Sequence, residues 1–274
     1  MGEPYGAYGL RIAGLDVVPD GRRAPDAWPL WTMTQTTGAG DETPGMSIWD
    51  STARIGVPGA GEFRLDRERR LIALHATTGW SGEALLHPGL SPAAAVIARW
   101  MGRSSLHAAA VVVDGLAWGL LGTRGGGKST TAALLADLGC PLLTDDLLVV
   151  KGETCFAGPA TVDLRADAAA HLGGRALGKL GSRERWRKSL PPSPLEAPLA
   201  GWVALEWSDG AVEVRPIDVG ERIEVLGRHA ALPIGGEHLL QLADRPMVRF
   251  ARPHAPDATV SAGMLADRLR DDPG

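Results

Sequence analysis

The sequence predicts an α/β fold in two parts, a small β-rich lobe over residues 1–97 and an α/β domain over residues 98–274. Three observations support this interpretation. The first part is rich in Gly, Pro, Thr and Trp and contains no long helical pattern before about residue 90. Residues 116–138 have the pattern of a strand, a glycine-rich turn and a helix in direct succession. The region after residue 216 contains apolar clusters typical of helices.

The composition is that of an ordinary globular protein, with 45% apolar and 22% charged residues among 274. A net charge of −4 gives no general attraction to nucleic acid or anionic membranes, so neither partner is expected. The sequence contains no apolar stretch of the roughly 20 residues that a membrane span needs and no export signal. We therefore expect a cytoplasmic protein, and a homo-oligomer is compatible with the sequence.

The only two cysteines, Cys140 and Cys155, are too few for a disulfide framework and have no ligand partners at metal spacing. We expect both to be reduced and buried.

In the first lobe, short apolar runs at residues 8–12 and 62–65 predict strands. Residues 34–44 are polar and glycine-rich, which predicts a flexible loop. Residues 91–102 predict a helix between the lobes, because Ser91 can serve as N-cap, Pro92 suits the first helical position and Gly102 suits the end.

Two apolar runs at residues 108–113 and 116–121 are separated by Asp114-Gly115, a dipeptide typical of tight hairpin turns. The second run leads directly into Gly122. Residues 129–138 then predict a helix that ends at Gly139. The sequence therefore predicts a glycine-rich turn between a strand and a helix.

That turn has the pattern Gly122-x-x-x-x-Gly127-Lys128-Ser129, which is typical of a phosphate-binding loop. Glycines let backbone N–H groups surround phosphate oxygens, and the N-terminus of the following helix favours an anion. Lys128 can reach the β- and γ-phosphates, and the Ser129 hydroxyl can bind Mg²⁺. A turn that binds nothing is the alternative, and the flanking strand and helix favour nucleotide binding. The predicted nucleotide-binding residues are Gly122, Thr123, Arg124, Gly125, Gly126, Gly127, Lys128, Ser129 and Thr130.

Two adjacent carboxylates, Asp145 and Asp146, interrupt the apolar run of residues 140–150. Two anions beside a triphosphate are unfavourable unless a metal ion or a transferable proton is present. One carboxylate can bind or orient the metal while the other accepts a proton from an attacking hydroxyl. The alternative is a solvated turn. His107, which opens the first hairpin strand, is equally compatible with a structural role and with a position facing the γ-phosphate.

Residues 106–112, the loop at residues 122–129 and the acidic pair within residues 142–146 together resemble the HPr kinase-like proteins. This family shares a phosphate-loop core with phosphoenolpyruvate carboxykinases. Thr144 follows Lys128 by only 16 positions, a spacing unlike that of ABC or AAA+ ATPases. The resemblance implies an HPr kinase/phosphoenolpyruvate carboxykinase-like fold. It also implies Asp145 as general base, Asp146 as its partner near Mg²⁺ and His107 as an auxiliary group, while Lys128 neutralises charge.

The strong part of the resemblance covers about residues 104–150, and residues 162–165 are weakly similar to a family strand that ends in Arg. The Arg-Gly-Leu-Gly signature of true HPr kinases is absent. The layout of the whole chain resembles the branch that tailors lasso peptides. That branch implies ATP- and Mg²⁺-dependent phosphorylation of a C-terminal serine on a precursor peptide. An HPr-type regulatory serine kinase/phosphorylase acting on a small carrier protein and a non-catalytic, nucleotide-gated binding protein remain open, as does ATP against GTP.

A cationic segment at residues 182–189 contains four basic residues around one Trp. It fits a mobile loop or helix that reaches phosphates or an acidic peptide, but a solvated helix face is the favoured interpretation. Arg185 and Arg187 from this segment, and Arg165 after residues 162–164, are candidate phosphate or substrate contacts. Arg165 is equally compatible with a surface ion pair. Apolar clusters at residues 223–232, 239–242 and 264–269 predict helices that pack on the core.

Overall fold

The computed structural model describes residues 3–15, 23–38, 43–57, 61–76, 82–180, 183–191, 193–253 and 258–271. It is a mixed α/β structure with three sheets. No helix in these ranges is both long and apolar enough to cross a membrane. Cys140 and Cys155 are free and buried, as predicted, and burial raises the pKa of the Cys155 thiol to about 12.

The first sheet has seven strands in the order β1-β2-β3-β7-β6-β5-β4. The strands are β1 (Tyr5–Ala7), β2 (Leu10–Ala13), β3 (Leu30–Thr37), β4 (Gly45–Ile48), β5 (Thr52–Val57), β6 (Gly61–Asp66) and β7 (Leu71–Ala76). The predicted strands at residues 8–12 and 62–65 are confirmed as β2 and β6, although Tyr8 and Gly9 form a turn with positive φ.

The predicted flexible loop at residues 34–44 is wrong for its first part. Strand β3 continues to Thr37 and pairs in parallel with β7. Its threonines are β-branched and suit an extended strand, a preference that the polarity of the segment concealed. Residues 39–42 of the predicted loop lie outside the described residues.

The helical connection begins with α1 (Gly82–Ala84) and ends with α2 (Leu90–Trp100). The segment between them (Leu85–Gly89) has a kink at His87, whose φ of −147° and ψ of 121° are extended rather than helical. The predicted helix is confirmed, but Ser91 is not its N-cap. Gly89 precedes the helix in helical conformation, so the chain enters α2 from a preceding helical turn. The Ser91 hydroxyl instead lies 3.2 Å from the Tyr8 hydroxyl.

The second sheet has nine strands, seven of them in the order β11-β9-β10-β17-β13-β12-β8. Its members are β8 (Ser104–Leu106), β9 (Ala108–Val113), β10 (Leu116–Leu121), β11 (Leu142–Thr144), β12 (Leu148–Lys151), β13 (Thr154–Phe156), β17 (Glu196–Trp207), β18 (Glu213–Pro216) and β19 (Met247–Arg252). The predicted hairpin is confirmed, since β9 and β10 pair antiparallel across Asp114 and Gly115, both with positive φ. Two separate clusters of buried apolar residues contain side chains of this sheet. Each cluster also contains side chains of the helices that pack on the sheet.

The remaining helices confirm the predictions for the loop helix and the C-terminal region. They are α3 (Lys128–Asp137), α4 (Ala166–Leu172), α5 (Val219–His229), α6 (Gly236–Ala243) and α7 (Ala258–Asp271). The buried residues of the first lobe, including most of α2, share one cluster with Leu147, Val149 and Phe156. The division at residue 97 stays a prediction.

The third sheet has three strands in the order β14-β16-β15, formed by β14 (Thr161–Leu164), β15 (Arg175–Leu180) and β16 (Arg183–Ser189). Strand β16 is the cationic segment, so the prediction of a mobile loop or a solvated helix is wrong. The basic residues Arg183, Arg185 and Arg187 occur at every second position, which places them on one face of a strand. Arg187 is buried on that face.

Candidate functional site

The glycine-rich loop connects β10 to α3 and contains two backbone positions that require glycine. Gly125 and Gly127 have φ values of 86° and 82°, in the left-handed region. A Cβ on Gly127 would lie 2.5 Å from Nη2 of Arg252. The loop conformation therefore depends on glycine both for its dihedral angles and for the close approach of a neighbouring side chain.

Arg252 and Trp207 hold the loop from one side. Arg252 Nη2 donates to the Gly126 carbonyl (3.0 Å) and to Thr131 Oγ1 (3.2 Å), while Trp207 Nε1 donates to the Gly125 carbonyl (3.2 Å). The Arg252 guanidinium carbon lies 4.2 Å from the Trp207 ring centroid. Because the N–H and C=O of a trans peptide point in opposite directions, the Gly127 N–H is directed away from Arg252. Burial lowers the pKa of Arg252 to about 10.

Lys128 begins α3 and turns back over the loop. Its Nζ donates to the Gly122 carbonyl (2.6 Å) and more weakly to the Thr123 carbonyl (3.4 Å). Burial lowers the pKa of Lys128, with a further contribution from Arg183, and Asp145 and Asp146 oppose this shift. The ammonium group therefore lies in the field of the acidic pair as well as in the loop.

The acidic pair follows β11 and meets the loop helix directly. Ser129 Oγ donates to Asp145, with Oδ1 at 2.9 Å and Oδ2 at 3.0 Å. Asp145 is 3% exposed, and burial raises the pKa of its carboxyl group. Asp146 is more exposed and has a φ of 72°, which is uncommon for a residue other than glycine. The structure thus brings together the two motifs that the sequence predicts to act jointly.

A third carboxylate, that of Asp163 on β14, lies next to Asp145. Its backbone N–H approaches Asp145 Oδ2 at 3.4 Å. Arg187 binds Asp163 in bidentate fashion, with Nε to Oδ1 at 2.9 Å and Nη2 to Oδ2 at 3.1 Å, and Arg185 Nη1 donates to Oδ2 at 3.2 Å. Burial acts to raise the pKa of Asp163, but the nearby cationic groups outweigh it and the pKa is lowered.

His87 lies between the two buried carboxylates. Its Nε2 is 3.7 Å from Oδ2 of Asp145 and 3.7 Å from Oδ2 of Asp163. The side chain is almost fully buried, and neither ring nitrogen has a hydrogen-bond partner within the described residues. Arg187 also donates to the carbonyls of Glu83 and His87, which fixes the helical connection to the third sheet. No sequence pattern identifies His87 or Asp163 as site residues, since each is distant in sequence from the loop.

The three arginines predicted as phosphate or substrate contacts all lie near the site but in different settings. Arg185 and Arg187 bind Asp163. Arg165 is exposed and flanks the loop, where a Cβ on Gly125 would lie 3.3 Å from its Nη2. Contact of these arginines with a phosphate stays a prediction.

His107 lies at the junction of β8 and β9 and is exposed. Its backbone N–H donates to the His229 carbonyl at 2.7 Å. Burial lowers the pKa of His229 to about 4, and Lys128, Arg228 and His107 lower it further. His107 and His229 therefore contact each other through the backbone, and no sequence pattern identifies His229.

The side chains at the junction of loop and acidic pair are of the type that binds Mg²⁺. Hydroxyl and carboxylate oxygens are its usual protein ligands, and nucleotide sites add phosphate oxygens. Ser129 and Asp145 supply such oxygens in direct contact, and Asp146 follows in the chain. Within the described ranges, no group of three or more His, Cys, Asp or Glu side chains is arranged to hold a metal ion.

Comparison with known proteins finds structural similarity to a solved structure. The chain matches no protein-family profile and no curated protein sequence. A solved structure of the Hpr(Ser) kinase/phosphatase from Coxiella burnetii matches with 13% sequence identity and a TM-score of 0.32. The match covers 61% of this chain and 88% of that one. A TM-score this low establishes neither a common fold nor a common function.

Proposed function

We propose that this protein is an ATP-dependent phosphotransferase that moves the γ-phosphoryl group from ATP-Mg²⁺ to a serine hydroxyl. The observation that carries the proposal is the contact between Ser129, at the start of the loop helix, and Asp145. This contact joins a candidate triphosphate cradle to a buried carboxylate in one site. Phosphoryl transfer depends mainly on positioning and charge stabilisation, which such a site supplies.

Each residue of the site has a role in this proposal. The loop N–H groups and the α3 N-terminus bind the phosphates, and Lys128 neutralises charge on the β- and γ-phosphates. Ser129 and Asp146 hold Mg²⁺, which when bound neutralises charge on the transferring group. Asp145 accepts the hydroxyl proton, and its raised pKa makes it a stronger base than an exposed carboxylate.

His87 and Asp163 are positioning residues in this scheme. His87 lies against the carboxylates of both Asp145 and Asp163. The ion pair between Arg187 and Asp163 holds Asp163 in place. Arg165, an exposed cation beside Gly125, contacts a phosphate oxygen in this scheme. His107 keeps its predicted auxiliary role.

The acceptor is proposed from the sequence resemblance to the lasso-peptide branch of the HPr kinase-like proteins. It is the C-terminal serine of a ribosomally made precursor peptide, phosphorylated in the cytoplasm. An HPr-type regulatory kinase and a nucleotide-gated binding protein without transfer activity are the alternatives. All three require nucleotide binding at the loop, so only the fate of the phosphoryl group separates them.

The test combines γ-labelled ATP, Mg²⁺ and peptides that end in serine, with mass spectrometry of the products. We expect a gain of one phosphate on the terminal serine, and the same peptides with Ala in place of the terminal serine serve as negative substrates. Asp145→Asn should reduce transfer by about 10²- to 10⁴-fold, the usual contribution of a general base, while nucleotide binding persists. Asp209→Asn, an exposed carboxylate, is the matched control.

Three results would count against parts of this proposal. Full transfer by Asp145→Asn would remove its role as base. Binding of ATP without transfer to any acceptor would favour the gated binding protein, and labelling of HPr alone would favour the regulatory kinase.

For His87→Asn we expect a roughly tenfold lower kcat with little change in the KM for ATP. Because a loss of folded protein would also lower the apparent kcat at an unchanged KM, thermal unfolding of His87→Asn verifies that the variant is folded.

A further inference from the structure

The first sheet has two edges that differ in how they are covered. Strand β1 is fully buried and forms a bridge from Tyr5 to Arg23. At the opposite edge, β4 pairs only with β5 among the described strands, and three of its four residues are exposed. An exposed edge strand presents unpaired backbone groups that can pair with an additional extended chain.

A cleft of about 670 Å³ lies beside this edge. We call it the β4 cleft, and it is lined by Met46, Ile48, Trp49, Asp50, Arg67, Arg99, Trp100, Leu232 and Pro233. Trp49 is 57% exposed and Met46 is 42% exposed, which is unusual for such large apolar side chains. The Trp100 indole donates to the Trp49 carbonyl at 3.0 Å, so the two aromatic positions are held together.

Two guanidinium groups in the β4 cleft have no carboxylate partner among the described residues. Most arginines of the first sheet are paired, namely Arg11 with Asp26, Arg54 and Arg64 with Glu62, and Arg69 with Asp66. Arg67 and Arg99 instead donate to the carbonyls of Asp50 (3.4 Å) and Pro233 (3.1 Å). Neither forms an ion pair with any residue that the structure describes, and Asp50 is the only carboxylate among the cleft residues.

We propose that the β4 cleft binds an acidic, extended segment of the peptide that is phosphorylated. The peptide would add a strand to the β4 edge and place apolar side chains against Met46 and Trp49. Its carboxylates would pair with Arg67 and Arg99. This inference rests on the proposed function, because it takes the acceptor to be a peptide rather than a folded carrier protein.

The chain segment at residues 229–233 leads from the His107 contact to the β4 cleft. Leu232 and Pro233 line the cleft, and Pro233 follows His229 by four positions. The His229 carbonyl accepts from the His107 backbone N–H. Four residues span at most about 14 Å, so Pro233 in the cleft lies within that distance of His229. In this proposal the cleft selects the peptide while the loop acts on its end.

The test uses fluorescence anisotropy with a short fluorescein-labelled peptide in which Glu alternates with Leu or Val. The same peptide with Lys in place of each Glu is the control probe. We expect the acidic peptide to bind at least tenfold more tightly than the basic one. We also expect Arg67→Glu or Arg99→Glu to weaken its binding about tenfold, and the affinity to fall with added salt. Trp49→Ala should weaken binding without changing the salt dependence, and Lys151→Glu, outside the cleft, is the matched charge control.

The proposal is overturned if the two probes bind equally, or if Arg67→Glu and Arg99→Glu both bind the acidic probe normally. It is also overturned if light scattering shows a dimer that Trp49→Ala dissociates, since a second copy would then occupy the cleft. Thermal unfolding of each variant verifies that it is folded. Binding of a fluorescent ATP analogue is measured separately. Absence of nucleotide binding in the unmodified protein counts against phosphotransfer, whereas absence of peptide binding counts against the cleft.

Discussion

The phosphate-loop site and the β4 cleft differ in how far their side chains are already paired. Around the loop, Arg252, Lys128, Ser129, Asp145 and Asp163 all have defined hydrogen-bond partners. In the β4 cleft, large apolar side chains are exposed and two guanidinium groups have no carboxylate partner in the described chain. A prepaired site keeps its geometry through a reaction, while an unsatisfied surface gains most of its interactions from a partner.

The largest expected effect tests the buried pairing at the site. Arg187→Met leaves Asp163 buried without its bidentate partner, so we expect a loss of roughly 3–5 kcal/mol in the free energy of unfolding. Lys188→Met is the matched control on the same strand, because its ion pair with Asp137 lies at the surface and is expected to be worth about 0–1 kcal/mol. Urea denaturation of both variants at neutral pH is the measurement.

The same pair predicts a pH dependence. The pKa of Asp163 is lowered in the folded state, so its contribution to stability is fully present above the unfolded pKa of about 3.9. That contribution is lost as the pH falls through the folded value. Arg187→Met should therefore lose less stability than the unmodified protein on acidification below about pH 4. Equal losses on acidification in the two proteins would contradict this account of Asp163.

An intermediate effect is expected at the glycine loop. Gly127→Ala combines an unfavourable φ with a close approach to Arg252, whereas Gly139→Ala has a similar φ of 88° and nothing within 4 Å of its added Cβ. We expect both to lose about 1 kcal/mol of stability from backbone strain. Only Gly127→Ala should also weaken ATP binding, as measured by titration calorimetry. Equal nucleotide affinity in both variants would separate the loop geometry from binding.

The smallest effect is expected in the β4 cleft. Trp49→Ala removes a mostly exposed side chain and should change the free energy of unfolding by no more than about 0.5 kcal/mol. Trp118→Ala, at a fully buried position, should cost roughly 3–5 kcal/mol. Thermal or urea unfolding compares the two. A large loss for Trp49→Ala would mean that the cleft belongs to the structural core and is not available to a partner.

Local patterns in the sequence were sufficient for the central hairpin, the glycine-rich loop, the loop helix and the C-terminal helices. Each of these elements depends on residues that are close together in the sequence, such as Asp114-Gly115 and Gly122 to Ser129. The cationic segment was wrongly interpreted as a loop or a helix, although Arg183, Arg185 and Arg187 recur at every second position. Only pairing with β14 and β15 shows that this period belongs to a strand.

The sequence by itself determined that a phosphate-loop pattern and an acidic pair occur in one α/β chain, because those patterns are short and continuous. The tertiary structure decided what surrounds them. Arg252 contacts Gly126, which is 126 positions away in the sequence. Arg187 binds Asp163 and also donates to the carbonyl of His87, which is 100 positions before Arg187. Such contacts depend on how sheets and helices pack, and no sequence pattern specifies which distant residues will meet. The open β4 edge was likewise decided by strand order, which local propensity does not specify.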